Sequence, residues 1–112
     1  MLHAHEGCIV NISSIWGLRG ASCEVTYSAT KGALIAFTAA FAKEVTGKGV
    51  LVNCVSPGSV AEGDQVGETA LSFIGRTGAC REYAHVICFL ASEEASYISG
   101  QNYIVDGCRK KL

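Results

Sequence analysis

Tyr27 and Lys31 stand four residues apart, and Ser14 lies thirteen residues before the tyrosine. On a helix, residues at i and i+4 share a face, so a phenol and an ammonium at this spacing become neighbours. Such a pair can carry proton transfer. A phenol, with an ordinary pKa of about 10, is a poor base at neutral pH, but a neighbouring ammonium favours its phenolate. A serine hydroxyl nearby can donate to an oxygen on which negative charge develops. Alone, the spacing says little, because tyrosine and lysine on one helix face more often simply pack at the surface. Its meaning depends on the elements around it.

Those elements alternate. Cys8 to Ile12, β-branched after Gly7 and closed by Ser13 and Ser14, reads as a short buried strand. From Thr26 to Thr46 apolar residues recur at helical spacing: Ala29, Ala33, Phe37, Ala40, Phe41 and Val45. Thr26 and Ser28 are its candidate caps, and it runs out into Gly47 and Gly49. Val50 to Ser56 is nearly continuous in apolar character and is stopped by Pro57-Gly58, which predicts a strand covered on both faces. Ser59 to Gly78 is irregular, with one short helix expected around Glu68 to Ile74. Arg81 to Ser92 predicts a further helix, with Tyr83, Val86, Ile87 and Leu90 on one stripe, and Tyr103 to Val105 a third strand. The basic residues Arg109, Lys110 and Lys111 read as a solvated tail. The order β, α, β, short α, α, β predicts an α/β fold with right-handed βαβ units and a parallel sheet, although three strands are few for it.

The 112 residues allow one domain at most. Hydrophobic residues at 49% against 17% charged exclude a disordered chain. A net charge of -1 gives no electrostatic case for nucleic acid or an anionic membrane as partner, and the basic run at the C-terminus is too short to imply one. No apolar run approaches the roughly 18 residues of a membrane span. Six cysteines without a CxxC pair or a secretory segment are expected to be mostly buried, reduced and cytoplasmic. His3, His5 and His85 have no ligand spacing to a cysteine pair, so no metal site is expected.

NISSIWG, the Tyr27–Lys31 pair, VNCVSPGSV and FLASEEASYISGQNYIVDG follow one another in an order that resembles the C-terminal half of the short-chain dehydrogenase/reductase family, from about Gly7 to Gly107. The resemblance implies part of a Rossmann-like, doubly wound parallel sheet. It also implies hydride transfer between NAD or NADP and a carbonyl or alcohol. By position, Ser14 matches the serine that hydrogen-bonds the substrate oxygen, and Tyr27 the general acid/base. Lys31 matches the lysine that holds the nicotinamide ribose and tunes the tyrosine. Pro57, Gly58 and Val60 would lie beside the nicotinamide. Ser13 is the near neighbour of the serine position, and the spacing to Tyr27 favours Ser14. The resemblance points to a small or acyl-carrier-linked carbonyl substrate, as in 3-oxoacyl-carrier-protein reductases. Residues Trp16 to Val25 also look like relatives that reduce a 5-aminopentanone group on elongation factor P.

The chain departs from the family pattern in several places. Glu62 stands where a cofactor-contacting threonine is common, Cys108 follows Gly107 where a second glycine is usual, and Gly63 to Arg76 is short for a substrate loop. No glycine-rich turn joins a strand to a helix before Ser14, so the adenosine and pyrophosphate end of the cofactor has no binding residues here. Met1 to Glu6 look like the end of a preceding helix. The whole chain, 1–112, therefore reads as a single incomplete domain. An open sheet edge and an open helix face would make it a homo-oligomer or the recipient of a completing partner. As this chain alone it is expected to be inactive or dependent on such a partner; the alternative expectation is a non-catalytic truncated remnant acting as an assembly or interaction module.

Overall fold

The computed structural model describes every residue except Asp64, Lys111 and Leu112. Its elements are β1 (Gly7–Ile12), α1 (Ile15–Arg19), α2 (Val25–Val45), β2 (Val50–Pro57), α3 (Cys80–Leu90) and β3 (Asn102–Val105). Short 3-10 turns follow α2 at Thr46–Lys48 and α3 at Glu93–Ala95. The strands form one parallel sheet in the order β1-β2-β3. Gly7 pairs with Val50 and Ile12 with Val55, while Cys54 pairs with Asn102 and Pro57 with Val105. This is the α/β parallel arrangement expected from the alternation of elements and the Rossmann-like part that the resemblance implies.

The central strand explains why Val50 to Ser56 is apolar almost throughout. Successive side chains of a strand point to opposite faces, and both faces of β2 are covered. On one, Val50 and Val52 pack with Ala42 and Val45 of α2. On the other, Val55 packs with Leu90 and Ala95, flanked by Val86, Ile87 and Tyr103.

The α2 stripe is a correction. Of the residues at helical spacing, Ala29, Ala33, Phe37 and Ala40 are exposed and only Val45 is buried, together with Thr38 and Ala42. The helix is apolar nearly all round, so periodicity cannot choose its inner face. Thr38 can turn inward because its hydroxyl donates to the Leu34 carbonyl (2.8 Å) and accepts from Asn11 Nδ2 (3.0 Å). On the open side Phe37 stacks on Phe41 with ring centres 5.1 Å apart.

The segment 59–79 is a second correction. No helix forms over Glu68 to Ile74. Its amides are taken by distant partners: Phe73 N–H donates to the Cys108 carbonyl (2.8 Å) and Ile74 N–H to that of Gly107 (3.1 Å). Lys110 N–H returns the contact to the Leu71 carbonyl (2.9 Å), and Ser72 pairs with Arg109 as an isolated bridge. The backbone of Gly107 to Lys110 is thus clasped against the loop, while Cys108 and Lys110 stay exposed and Lys110 Nζ lies 5.2 Å from the Phe73 ring centre. Lys111 of the basic run lies outside the described residues.

The same segment sets the start of α3. Ala79 offers no side-chain acceptor, so Glu82 alone caps this end by accepting from Ala79 N–H (3.0 Å). It also receives Arg76 through both carboxylate oxygens (2.6 and 3.0 Å). Arg76 and that N–H hold the Glu82 carboxyl down at about 2. Burial pushes the Tyr83 phenol up, and its hydroxyl donates to the Ser59 carbonyl (3.0 Å).

The cysteines also differ from expectation. Only Cys54 is buried and Cys8 half-buried, whereas Cys23, Cys80, Cys88 and Cys108 are exposed; all six are unpaired. Apolar neighbours in sequence do not bury a cysteine that falls on an outer helix face or in a turn. Among the described residues no helix is long and apolar enough to cross a membrane.

Candidate active site

The strand β1 ends at Ile12, and the next four residues build one corner of the site. Ser13 N–H extends the sheet by donating to the Val55 carbonyl (2.8 Å). Its hydroxyl donates across to the Lys31 carbonyl (2.6 Å), tying the strand end to α2. Ser14 is the N-cap of α1, its backbone extended and its Oγ accepting from Trp16 N–H (3.1 Å). The five residues of α1 are too few for a periodic signal, which is why sequence patterning misses the helix.

Two glycines let α1 rest on α2. A Cβ on Gly17 would fall 2.7 Å from the Lys31 carbonyl carbon, and one on Gly32 3.1 Å from the Gly17 oxygen. With no side chain on either, the backbones touch and Ser14 and Trp16 are carried against the first turns of α2. Those turns present Tyr27 and Lys31. The Lys31 ammonium donates to the Ile12 carbonyl (3.0 Å) and lies 5.7 Å from the centre of the Tyr27 ring. Tyr27 is partly open to solvent, at 43% exposure.

Ser14, Trp16, Glu24, Tyr27 and Gly58 line one cavity of about 320 Å³ at the carboxyl ends of β1 and β2. Outside the carboxyl ends of parallel strands is where α/β sheets hold their ligands. Pro57 closes β2, and Gly58 N–H donates to the Val105 carbonyl (3.0 Å). A Cβ on Gly58 would sit 2.8 Å from that of Asp106, so the turn has no room for another residue.

The sequence-predicted residues are not all gathered equally. Ser14, Tyr27 and Gly58 share the cavity, Pro57 adjoins it, and Lys31 stands beside Tyr27 without lining it. Val60 is exposed, bridged to Gly78, and does not line the cavity. Glu62 is exposed and bridged to Gln65. Cys108 sits at φ 62, the left-handed region, which explains why glycine suits this position better.

Of the lining residues, Trp16 reads from the sequence equally as pocket lining or core cover and proves to line the cavity, Glu24 carries no expected role, and Arg109 reads as tail. The Arg109 guanidinium lies 4.9 Å from the Trp16 ring centre, and its Nη1 donates to Ser59 Oγ (3.0 Å). No sequence spacing links positions 16, 59 and 109; only the fold does.

Residues 1–108 match the family described as enoyl-(acyl carrier protein) reductase. The chain belongs to the short-chain dehydrogenase/reductase family. Within this family, it is 43% identical over 117 residues to an uncharacterized oxidoreductase of Bacillus subtilis, covering 96% of this chain and 48% of that protein. It is 42% identical over 115 residues to a 3-oxoacyl-[acyl-carrier-protein] reductase of Chlamydia muridarum, covering 96% and 46%. Among solved short-chain dehydrogenase/reductase folds, an acetoin dehydrogenase of Salmonella typhimurium superposes with a TM-score of 0.86 at 36% identity, over 95% of this chain and 44% of that one. The chain thus spans about half the length of the relatives it matches, and its three strands are the C-terminal part of the family's sheet.

Proposed function

We propose that this chain carries the proton-transfer part of an NAD(P)-dependent oxidoreductase acting between a carbonyl and an alcohol. The single observation behind this reading is the convergence of Ser14, Tyr27 and Gly58 on one cavity, with Lys31 beside the tyrosine. The hydrogen bonds of Ser14 and Lys31 support the following division of tasks. Ser14 Oγ accepts from Trp16 N–H, which leaves its own proton available for a substrate oxygen. The Tyr27 phenol gives that oxygen its proton in reduction and takes it back in oxidation. Lys31 uses one of its three protons on the Ile12 carbonyl and keeps the others for partners near Tyr27. Its charge favours the phenolate left when the tyrosine proton departs.

The donor set fits the nicotinamide-ribose end of NAD or NADP. Lys31 and Tyr27 would hold the ribose hydroxyls, and Pro57 and Gly58 would flank the ring, with Val60 further along the same turn. When bound, that cofactor supplies or accepts the reducing equivalent. The carboxylate of Glu62 on the adjoining loop disfavours a pyrophosphate close to it. The relatives named as 3-oxoacyl-[acyl-carrier-protein] reductases support an acyl-carrier-linked or small carbonyl substrate. The narrower 5-aminopentanone reading rests on residues 16–25 alone, and a cytoplasmic setting on the six unpaired cysteines.

A second reading concerns assembly. Among the described residues β1 is bonded only to β2, and Ala29, Ala33, Phe37 and Ala40 leave an apolar face of α2 open. We propose that a second copy or a completing chain covers these surfaces, whether or not the site turns over.

The test is consumption of NADPH or NADH by the purified protein in the presence of a panel of ketones. Carbonyl-dependent consumption is expected where the chain is assembled with a second copy or a completing chain. Its absence with both cofactors, in a folded and cofactor-saturated sample, would overturn the oxidoreductase reading in favour of the assembly module.

A further inference from the structure

Arg109 rests on the oxidoreductase reading above and sharpens it to a class of substrate. Its backbone neighbours are held on both sides: Cys108 accepts from Phe73 N–H and Lys110 donates to Leu71. Its side chain then reaches across the molecule. The guanidinium stacks on Trp16 and donates to Ser59; Trp16 and Gly58 line the Ser14–Tyr27 cavity, which Arg109 adjoins without lining. Its Nε is buried with no hydrogen-bond partner, and among the described residues no carboxylate pairs with it. A cation fixed by an aromatic face and two chain clasps has lost its freedom before any ligand arrives, so binding an oxyanion costs little further ordering. Planar guanidinium donors match the oxygens of a carboxylate or phosphate.

We infer that Arg109 is a specificity-determining residue, holding the carboxylate or phosphate of an anionic carbonyl substrate whose reacting group lies at Ser14 and Tyr27. Glu24 lines the same cavity at the N-terminus of α2 and makes no ion pair with Arg109. It gives the cavity a second polarity, which the experiment must separate.

Trp16 is the only tryptophan of the chain, so its emission reports on this corner alone. The purified protein is titrated with matched compounds, acetoacetate against methyl acetoacetate and dihydroxyacetone phosphate against dihydroxyacetone, and also with aminoacetone. Turnover is measured on the same samples. At least one anion is expected to bind more tightly than its neutral partner, by roughly tenfold or more. The better of the two tells carboxylate from phosphate. That preference is expected to collapse in Arg109→Gln and to return in part in Arg109→Lys, with thermal unfolding confirming that both variants fold. Equal affinity within both pairs overturns the inference, as does a preference that survives in Arg109→Gln, tighter binding of aminoacetone, or no response to any anion. A preserved anion preference without turnover supports the anion site and counts against the oxidoreductase reading alone.

Discussion

The two walls of the cavity are built in opposite ways. One wall is regular: the end of β1, the cap of α1 and the first turns of α2 bring Ser14, Tyr27 and Lys31 together through short hydrogen bonds and a glycine-to-glycine contact. The other wall is irregular: the turn after β2 supplies Gly58, and behind it the 59–79 segment and the clasped tail hold Ser59 and Arg109, which do not line the cavity, through isolated bridges and long-range amide bonds. The difference separates two tasks. Proton transfer needs groups fixed to a fraction of an ångström, and helices and strands supply that. Choice of substrate can change from protein to protein, and loops tolerate that change.

The largest effect separating the two walls is expected from Tyr27→Phe. Removing the phenol should lower turnover by about 10²–10⁴-fold. Because the side chain is partly exposed, stability should change by no more than about 0.5 kcal/mol. Carbonyl-dependent NAD(P)H consumption and thermal unfolding of one preparation check both parts. A large loss of stability would mean that the residue belongs to the packing of its wall rather than to its chemistry.

Next comes the contact that assembles the regular wall. Gly17→Ala is expected to destabilise by about 1–3 kcal/mol, because its methyl group meets the Lys31 backbone. Gly47→Ala, where a Cβ meets nothing within 4 Å, is the control. Urea unfolding at the same midpoint for the two variants would remove the glycine contact from the account.

The junction of the 59–79 segment with α3, behind the irregular wall, is expected to respond to acid. The Glu82 carboxyl sits at about 2 rather than at its ordinary 4.5, held down by Arg76 and the Ala79 N–H. A depressed carboxylate stabilises the folded state above its unfolded pKa, and that contribution fades as pH falls from 4.5 toward 2. Glu82→Gln should therefore lower the melting temperature at neutral pH, with the gap closing on acidification. A gap of constant size across this range would show that the pair is inert to titration.

The smallest effect belongs to the end of the tail clasp. Cys108 holds a left-handed backbone at φ 62, so Cys108→Gly should relieve strain of up to about 1 kcal/mol, less the entropy glycine adds to the unfolded chain. A loss of stability in chemical denaturation would place the cysteine side chain, not its backbone, in control of the turn.

The same contrast accounts for what could be read in the sequence. The strands and α2 announce themselves through length and apolar runs, and the Tyr27–Lys31 spacing is a property of one helix. The inner face of α2 stayed hidden because Thr38 turns inward on a bond to Asn11, twenty-seven positions away. The expected helix at Glu68 to Ile74 is absent for a related reason, since the amides of Phe73 and Ile74 at its end donate to residues 108 and 107. Arg109 was illegible because its partners, Trp16 and Ser59, come from other parts of the fold. Local patterns show local structure, and a wall made of distant contacts has none.

The central claim is that a nicotinamide cofactor belongs between these two walls, and Trp16 is positioned to report it. Titrating the protein with NADPH and with NADH while following tryptophan emission tests this most directly. A saturable change with at least one cofactor, weakened in Lys31→Ala, is the expected result. No change with either, up to about 1 mM, would contradict the account.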